Sequence, residues 1–302
     1  MKACVMVHGA DNFIGARLVT SLANEDWSSV LAVRGNDAAA LSRGVGEAQA
    51  IAHCIVGSAD HIERSAASLY GLLSASKDRP RVVHLSSMTV YGSGSGSIDE
   101  SCDLRADLGP YSAAQRRAEL IAANASRAVI LRAGVEYGPN CTAWSGRVAL
   151  WLRAHRLGDL GEYGDGVCNL VYIDDLVAVL RSALREPGIE GNAFNVAARE
   201  KITWNDYFIA YAIALGAVPV RRIGARRLRF ETRIAAPALR VAELLAHAAQ
   251  VRSLRIPPPI PPSLLRLCRQ EVTLSAARVE RTLHPQWTPL QQGLRRAAEW
   301  YS

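Results

Sequence analysis

In the stretch PYSAAQRRAE, residues 110–119, a tyrosine at 111 and a glutamine at 115 stand one helical turn apart and so share a face. A phenol held at a reacting centre can donate or accept a proton, and it accepts one near neutral pH only when a cation stands beside it. An ammonium about 5 Å away, at an effective dielectric near 20, is worth about 3 kcal/mol, or about two pKa units. Gln115 supplies hydrogen bonds but no charge. Arg116, about 100° further round the helix, points elsewhere. Tyr111 therefore reads as a neutral phenol, better at giving a proton to a carbonyl than at taking one from an alcohol. A second stretch, HGADNFIGARL at 8–18, has the form of a turn in which backbone amides meet an anion at a helix N-terminus. A third feature is the adjacent pair Asp174 and Asp175, two carboxylates of the kind that can share acid/base work.

These residues need elements to hold them. An apolar run, Ala3–Val7, leads into the glycine turn and then an amphipathic helix from about Phe13, the opening of a dinucleotide-binding βαβ unit. Strand-like runs follow at 29–35 (SVLAVRG), 48–58 (AQAIAHCIVGS), 81–87 (RVVHLSS) and 128–139 (AVILRAGVEYGP). Helical stretches separate them, around 62–76 and over PYSAAQRRAELIAANA. This alternation predicts an α/β fold with a doubly wound parallel Rossmann sheet. Only about 15 residues lie between the second strand and AIAHCIVG, too few for a helix, a strand and a second helix. In the order 3-2-1-4-5-6, losing strand 4 would leave strand 1 unpaired on one side, whereas strand 3 lies at the edge. Edge strand 3 is therefore expected to be missing or vestigial, and AIAHCIVG to be strand 4. A short edge strand within 43–50 is the alternative.

Residues 199–302 change character, with helical periodicity, the proline run RIPPPIPPSLL at 255–265 and a closing amphipathic helix that reads as capped. The expected division is a dinucleotide-binding domain over 1–140 and 169–198, and a smaller, mostly helical substrate lobe over 141–168 and 199–302.

Composition narrows the classes. Of 302 residues, 49% are hydrophobic and 21% charged, with a net charge of +7. The basic residues are nearly all arginine and scattered, apart from RRIGARRLRFETR at 221–233, which has no interleaved aromatics of the nucleic-acid type. No nucleic acid is expected. The six cysteines stand far apart without a CxxC pair, which argues against zinc and fits a reducing compartment. His8, His53 and His84 sit in or beside strands without metal-ligand spacing and read as structural, so no metal is expected. The longest uncharged apolar run, about Tyr207 to Val220, is too short to span a bilayer. The start runs directly into a strand and leaves no room for a signal peptide. A soluble, cytoplasmic protein with no membrane partner is expected.

Taken together, HGADNFIGARL, HLSSMTVYG (84–92), PYSAAQ (110–115), ILRAGVEYGP (130–139), GDGVCNLVYIDDLV (164–177), GNAFNV (191–196) and TPLQQGLRRAAEWY (288–301) resemble the extended short-chain dehydrogenase/reductases, in their epimerase/dehydratase branch. The motifs run through nearly the whole chain in the family's order. The resemblance implies an NAD(P)-dependent oxidoreductase or epimerase/dehydratase-type enzyme acting on a carbonyl- or hydroxyl-bearing small molecule. It places the dinucleotide on Gly9, Asn12, Phe13, Ile14, Gly15 and Gly57, with Arg34 after the second strand and Ala133 and Val135 beside the nicotinamide. Asn12 stands where the family has its middle glycine, and Ala133 where it commonly has proline. Arg34 replaces the acid that binds ribose hydroxyls in NAD enzymes, so NADP is the expected cofactor, with NAD possible.

The family's active site combines a serine, a tyrosine and a lysine. Ser87 matches the serine, with Thr89 two residues on, and Tyr111 matches the proton donor/acceptor. Gln115 holds the lysine position, where it can clamp the nicotinamide ribose by hydrogen bonds. The segment around Asp174 and Asp175 orients loops and caps a helix in that family, which favours a structural role for the pair. ELLAHAAQVRSLRIPPPIPPSLLRL resembles the dihydroflavonol-reductase and 3β-hydroxysteroid-dehydrogenase branch, whereas the arginines from Arg221 to Arg229 suit a sugar-nucleotide diphosphate. A homodimer through the helices near 62–76 and 111–124 follows from the resemblance. Two readings stand: an active enzyme using Ser87 and Tyr111, and a degenerate member that binds nucleotide or ligand without hydride transfer, as a regulator, partner subunit or non-redox catalyst.

Overall fold

Strand 1 is β1 (Cys4–His8), all five residues of which are buried. The turn after it enters α1 (Phe13–Leu22), whose Ile14, Leu18 and Leu22 recur every four residues as a buried stripe. In a computed structural model, which describes residues 4–35, 37–76, 80–231 and 259–302, the chain continues through β2 (Ser29–Val33), α2 (Ala38–Glu47) and β3 (Ala50–His53). It goes on through α3 (Ala59–Ala75), β4 (Arg81–Ser87), a short β5 (Gly96–Ile98), α4 (Pro110–Ala125), β6 (Val129–Ala133) and β7 (Val135–Tyr137). Then come α5 (Arg147–Arg153), β8 (Leu170–Tyr172), α6 (Ile173–Ala183), β9 (Ala193–Val196) and α7 (Trp204–Ala214).

The main sheet is parallel, in the order β2-β1-β3-β4-β6-β9. β3, the AIAHCIVG strand, lies between β1 and β4, where strand 4 belongs, and β2 is the outermost strand on its side among the described residues. Among the described residues strand 3 of the usual order is missing, as its edge position allows. Residues 38–47 form one ten-residue helix, so no hidden strand occupies the stretch before β3. The consequence is visible in β2 itself: Ser29 and Ala32 are exposed and Val33 alone is buried, as expected of a strand with one free side.

Because β2 now crosses directly to β3, α2 joins α3 and α4 over one apolar layer. Leu41 and Val45 of α2 share it with Ile62, Ala66 and Leu69 of α3, Ala114, Ala118 and Ala122 of α4, and Met6, Ile51 and Val82 of the sheet. α1 packs with α6 and against β1 and β2, and α6 packs against β6. This is a doubly wound sheet.

The chain divides into two compact units. The first comprises Met1–Glu136, Leu170–Arg199 and Leu274–Trp287, and the second Tyr137–Asn169, Glu200–Thr273 and Thr288–Ser302. The second is helical, with a buried cluster of Trp204, Tyr207, Phe208 and Tyr211 along α7. The closing helix, Leu290–Tyr301, buries Leu294, Ala297 and Ala298, but Pro289 stands at its cap and no side chain caps it. Most of ELLAHAAQVRSLRIPPPIPPSLLRL, and the end of the arginine cluster, lie outside the described residues. No helix among the described residues is long and apolar enough to cross a membrane.

Candidate active site

Two features of the first unit gather at the carboxyl ends of its strands. The first is the turn after β1. Gly9 has φ +94°, and a Cβ there would lie 2.7 Å from the Cys54 carbonyl oxygen. A Cβ on Gly15 would stand 2.1 Å from the Gly9 carbonyl oxygen, so both positions need glycine. Gly57, after β3, has φ +139°. These are the cradles a dinucleotide-binding turn requires, and the residues fit that group.

Asn12 alters the turn in a definite way. It is the N-cap of α1, and its Oδ1 accepts from the Ile14 and Gly15 amides at 3.0 Å each, while its Nδ2 donates to the Cys54 carbonyl at 2.5 Å. Two of the amides that a phosphate would meet at this helix start are thus already satisfied from within the chain.

Beyond β2, Arg34 is exposed and the Gly35 amide donates to Asp11 Oδ1 at 3.2 Å. A cavity of about 240 Å³ opens there, lined by Gly35, Asp37, Ala38, Leu41, Arg64 and Ser65 among others. Behind the turn, His8, His53 and His84 stand at one register of β1, β3 and β4 and are all buried. His8 Nδ1 and His53 Nδ1 share a hydrogen bond at 3.1 Å, and His84 Nδ1 meets the Tyr70 hydroxyl at 3.0 Å. Burial lowers all three, His8 and His84 to about 4. They are neutral core groups, as read from their strand positions.

The second feature is built on β4 and α4. Ser87 ends β4 opposite Ala133 of β6, and its Oγ accepts from the Thr89 amide at 3.3 Å. Gly109, at φ +112°, and Pro110 start α4 and set Tyr111 in its first turn. Gln115 is buried, and its Nε2 donates to the Tyr111 hydroxyl at 3.0 Å, so it engages the phenol itself. Ser87 also hydrogen-bonds that hydroxyl. The Thr89 Oγ1 beside them is buried without a partner among the described residues, a hydroxyl still able to meet a ligand. Arg116 is exposed and takes no part. Ala133 and Val135 are buried at the ends of their strands.

Tyr111 is 38% exposed as a residue; at its hydroxyl, held by Gln115, desolvation and then the charge of Glu136 push the phenol up to about 12, against the lowering effect of the Gln115 and Ser87 hydrogen bonds. Glu136 itself, half-buried in β7, is raised to about 7 by desolvation. No periodicity marks it in the sequence, where its signal is that of a lone acid in the stretch ILRAGVEYGP. A buried network fixes the strands behind: Glu119 accepts from Ser86 Oγ at 2.5 Å and from Arg132 Nη2 at 2.9 Å, while Arg132 Nη1 donates to the Tyr91 hydroxyl.

Asp174 departs from the expected capping role. It lies in the first turn of α6, where no side chain caps the helix, and pairs with Arg17 of α1 at 2.6 Å. Asp175 is buried beside it in the same turn. Asp174 thus ties α6 to α1.

A model of the NAD dependent epimerase/dehydratase family matches residues 5–197. Among solved structures, the UDP-glucuronic acid 4-epimerase of Bacillus cereus, in complex with UDP-glucuronic acid and NAD, is similar with a TM-score of 0.73 and 18% identity, covering 99% of this chain and 98% of that one. The UDP-glucose 4-epimerase of Thermotoga maritima, with UDP-glucose, gives 0.72 at 16% identity, covering 99% and 98%. RMD of Pseudomonas aeruginosa, complexed with NADPH, gives 0.71 at 15% identity, covering 99% of each chain. At these identities the likeness is one of fold. None of the curated proteins matches the chain by sequence.

Proposed function

The chain belongs to the NAD dependent epimerase/dehydratase family and is an NAD(P)-dependent enzyme of that type, and on that premise we propose that it interconverts a hydroxyl and a carbonyl on a small molecule, with Tyr111 and Ser87 at the reacting oxygen. The observation that carries this is the joining of Ser87, Gln115 and Tyr111 through one phenol hydroxyl at the carboxyl end of β4. The nicotinamide would supply hydride acceptance and donation. Gly9, Gly15, Gly57 and the Phe13 amide are the residues offered to the dinucleotide, and Ala133 and Val135 the wall beside its reactive ring. Ser87 and Thr89 hydroxyls orient the substrate oxygen, and Tyr111, protonated at neutral pH, gives its proton to a carbonyl. That assignment favours reduction over oxidation.

Two charges bear on the choice of dinucleotide. Arg34, exposed after β2, supports NADP, because a cation there suits a 2′-phosphate. Asp11, held on the Gly35 amide, supports NAD, because a carboxylate there suits free ribose hydroxyls and repels a phosphate. The first unit serves as the dinucleotide-binding domain and the second as the substrate lobe. UDP-sugars head the substrate panel, since similar folds are known with UDP-glucose and UDP-glucuronic acid, and apolar ring ketones follow. A homodimer through α3 and α4 is part of the proposal, supported by Leu120, which is 50% exposed on α4. A cytoplasmic enzyme fits the free cysteines.

Titration of NADH and NADPH fluorescence with the purified protein is expected to show saturable binding, with Arg34→Ala weakening NADPH selectively if NADP is the partner. Turnover of the panel should fall at least about 100-fold in Tyr111→Phe, the scale of a lost general acid. Absence of binding by either dinucleotide would return the chain to the reading of a degenerate, non-redox member.

A further inference from the structure

We propose that a cavity within the second unit binds a small aromatic anion, one ring system carrying a carboxylate or a phosphate. The ring lies among two tryptophans and two leucines, and the anionic group meets Arg147. The inference goes beyond the proposed function and rests on the second unit alone.

One wall comes from the chain after β7. Thr142–Gly146 form a π-helical turn that begins at Cys141, whose Sγ accepts from the Trp144 amide at 3.5 Å, and the turn runs directly into α5. Such turns are rare and frequently mark functional sites. Trp144, Arg147 and Trp151 follow at steps of three and four residues, the spacing of one helix face. The other wall is the helix Pro262–Cys268, which brings Ser263, Leu264 and Leu267. With their neighbours, these side chains line a cavity of about 260 Å³.

The aromatic wall is braced before any ligand arrives. The Trp144 ring stands 5.2 Å from that of Trp204, tilted by 44°, and the Trp144 carbonyl accepts from the Tyr207 hydroxyl. Trp204 and Tyr207 are among the fully buried side chains of α7, and Trp151 and Leu264 are buried as well. Little ordering is left for a ligand to impose, which favours binding.

Charge and size then select the occupant. Arg147 is exposed, and its guanidinium has no ion pair or hydrogen bond with a described residue, whereas Arg156 of the same unit is paired with Glu231. No carboxylate lines the cavity among the described residues. A cation without a counter-charge at an aromatic-walled cavity calls for a ring of opposite charge. Indole faces pack on the ring, and the guanidinium fork takes two oxygens of a carboxylate or phosphate. Pockets for drug-sized ligands run from about 300 to 1,000 Å³, so this one admits a single ring system with its acidic group, and a whole sugar nucleotide exceeds it.

The test is a titration with phenylacetate and phenyl phosphate. In ¹⁵N-labelled protein the indole N–H signals of Trp144 and Trp151, assigned from Trp144→Phe and Trp151→Phe, should move saturably, while those of Trp27 and Trp287 in the first unit stay still. The neutral phenylacetamide should bind about 10-fold or more weakly than phenylacetate, the scale of a lost hydrogen bond to a charged group. Arg147→Gln should erase that difference and weaken phenyl phosphate alike. Ser263→Trp, a change at an exposed position, should fill the cavity and block both anions with melting unchanged; where melting falls, Arg147→Gln decides alone. Trp144 and Trp151 signals that do not move, an amide that binds as well as the acid, or an Arg147→Gln chain that binds as before would each overturn the proposal. None of these outcomes touches the proposed function, which stands or falls on dinucleotide binding and on Tyr111→Phe.

Discussion

Replacing Asn12 by glycine tests how this chain treats a phosphate. Asn12 has φ −95° and ψ 168°, ordinary extended backbone, so glycine is not required at the position and will not distort it. The change removes three hydrogen bonds: two into the start of α1 at 3.0 Å and one to Cys54 at 2.5 Å. For the fold, exchanging an asparagine cap for glycine costs a few tenths of a kcal/mol, and losing the Cys54 bond about 1 kcal/mol. Melting should therefore fall by only about 2–5 °C. For the ligand, the Ile14 and Gly15 amides become available to a pyrophosphate, and a hydrogen bond to a charged group is worth about 1.5–3 kcal/mol. Recovering even one of them tightens binding about 10-fold, and both about 100-fold or more. The assay is fluorescence titration of NADH and NADPH, with ADP-ribose as a competitor that lacks the nicotinamide. Asn12→Ala should tighten binding as well, because it also frees the amides. Asn12→Asp should weaken it, because a carboxylate keeps the cap and repels the phosphate. If Asn12→Gly stays folded and binds neither dinucleotide more tightly, the side chain does not compete for those amides and the argument fails.

Two further outcomes follow from the buried polar groups. The histidines are held neutral by burial, so their contribution to stability is complete above pH 6.5 and is lost as pH falls towards 4. A fall from 6.5 to about 4 corresponds to about 3 kcal/mol for each of His8 and His84, and urea midpoints taken between pH 7.5 and 4.5 should drop steeply. A flat profile would contradict it. Glu119→Ala strands the Arg132 guanidinium, which is 8% exposed and 2.9 Å from its partner, and should destabilise the chain by about 3–5 kcal/mol. A loss under about 1 kcal/mol in denaturant titration would show that the network is dispensable.

Much of this is legible in the sequence, because the signals are periodic or spaced. The missing strand followed from a residue count between two apolar runs and from which strand a sheet can lose. The phenol without an ammonium followed from Tyr111 and Gln115 lying four apart. What stayed hidden was three-dimensional. The capping geometry of Asn12 depends on which way a short amide turns, and sequence showed only that a glycine was gone. His8, His53 and His84 were visible as single residues in strands, but their common register required the pairing of three strands distant in the chain. Glu136 was overlooked because β7 is three residues long and one acid in it has no period to break. The family resemblance implies that the segment holding Asp174 caps a helix, yet the partner of Asp174, Arg17, lies 157 residues away.

Four side chains of the first unit act in one direction, against the positive charge that Arg34 brings after β2. Asn12 withdraws two partial positive groups from the phosphate, and Gln115 withdraws a full charge from the phenol. Glu136 adds a negative one, and Asp11 places another at the carboxyl end of β2. Each change makes the pocket less positive, and together they disfavour both a tightly held anionic cofactor and a phenolate. Losing strand 3 does not compensate, since it removes a neighbour of β2 and leaves β1 flanked on both sides, with the glycine turn intact. Such a pocket retains dinucleotide geometry while weakening its grip. It suits a proton donor working on a carbonyl more than a base working on an alcohol. If Asn12→Gly and Gln115→Lys are combined, the first should act on binding and the second on the oxidative rate, with effects that multiply because the two sites share no hydrogen-bond partner.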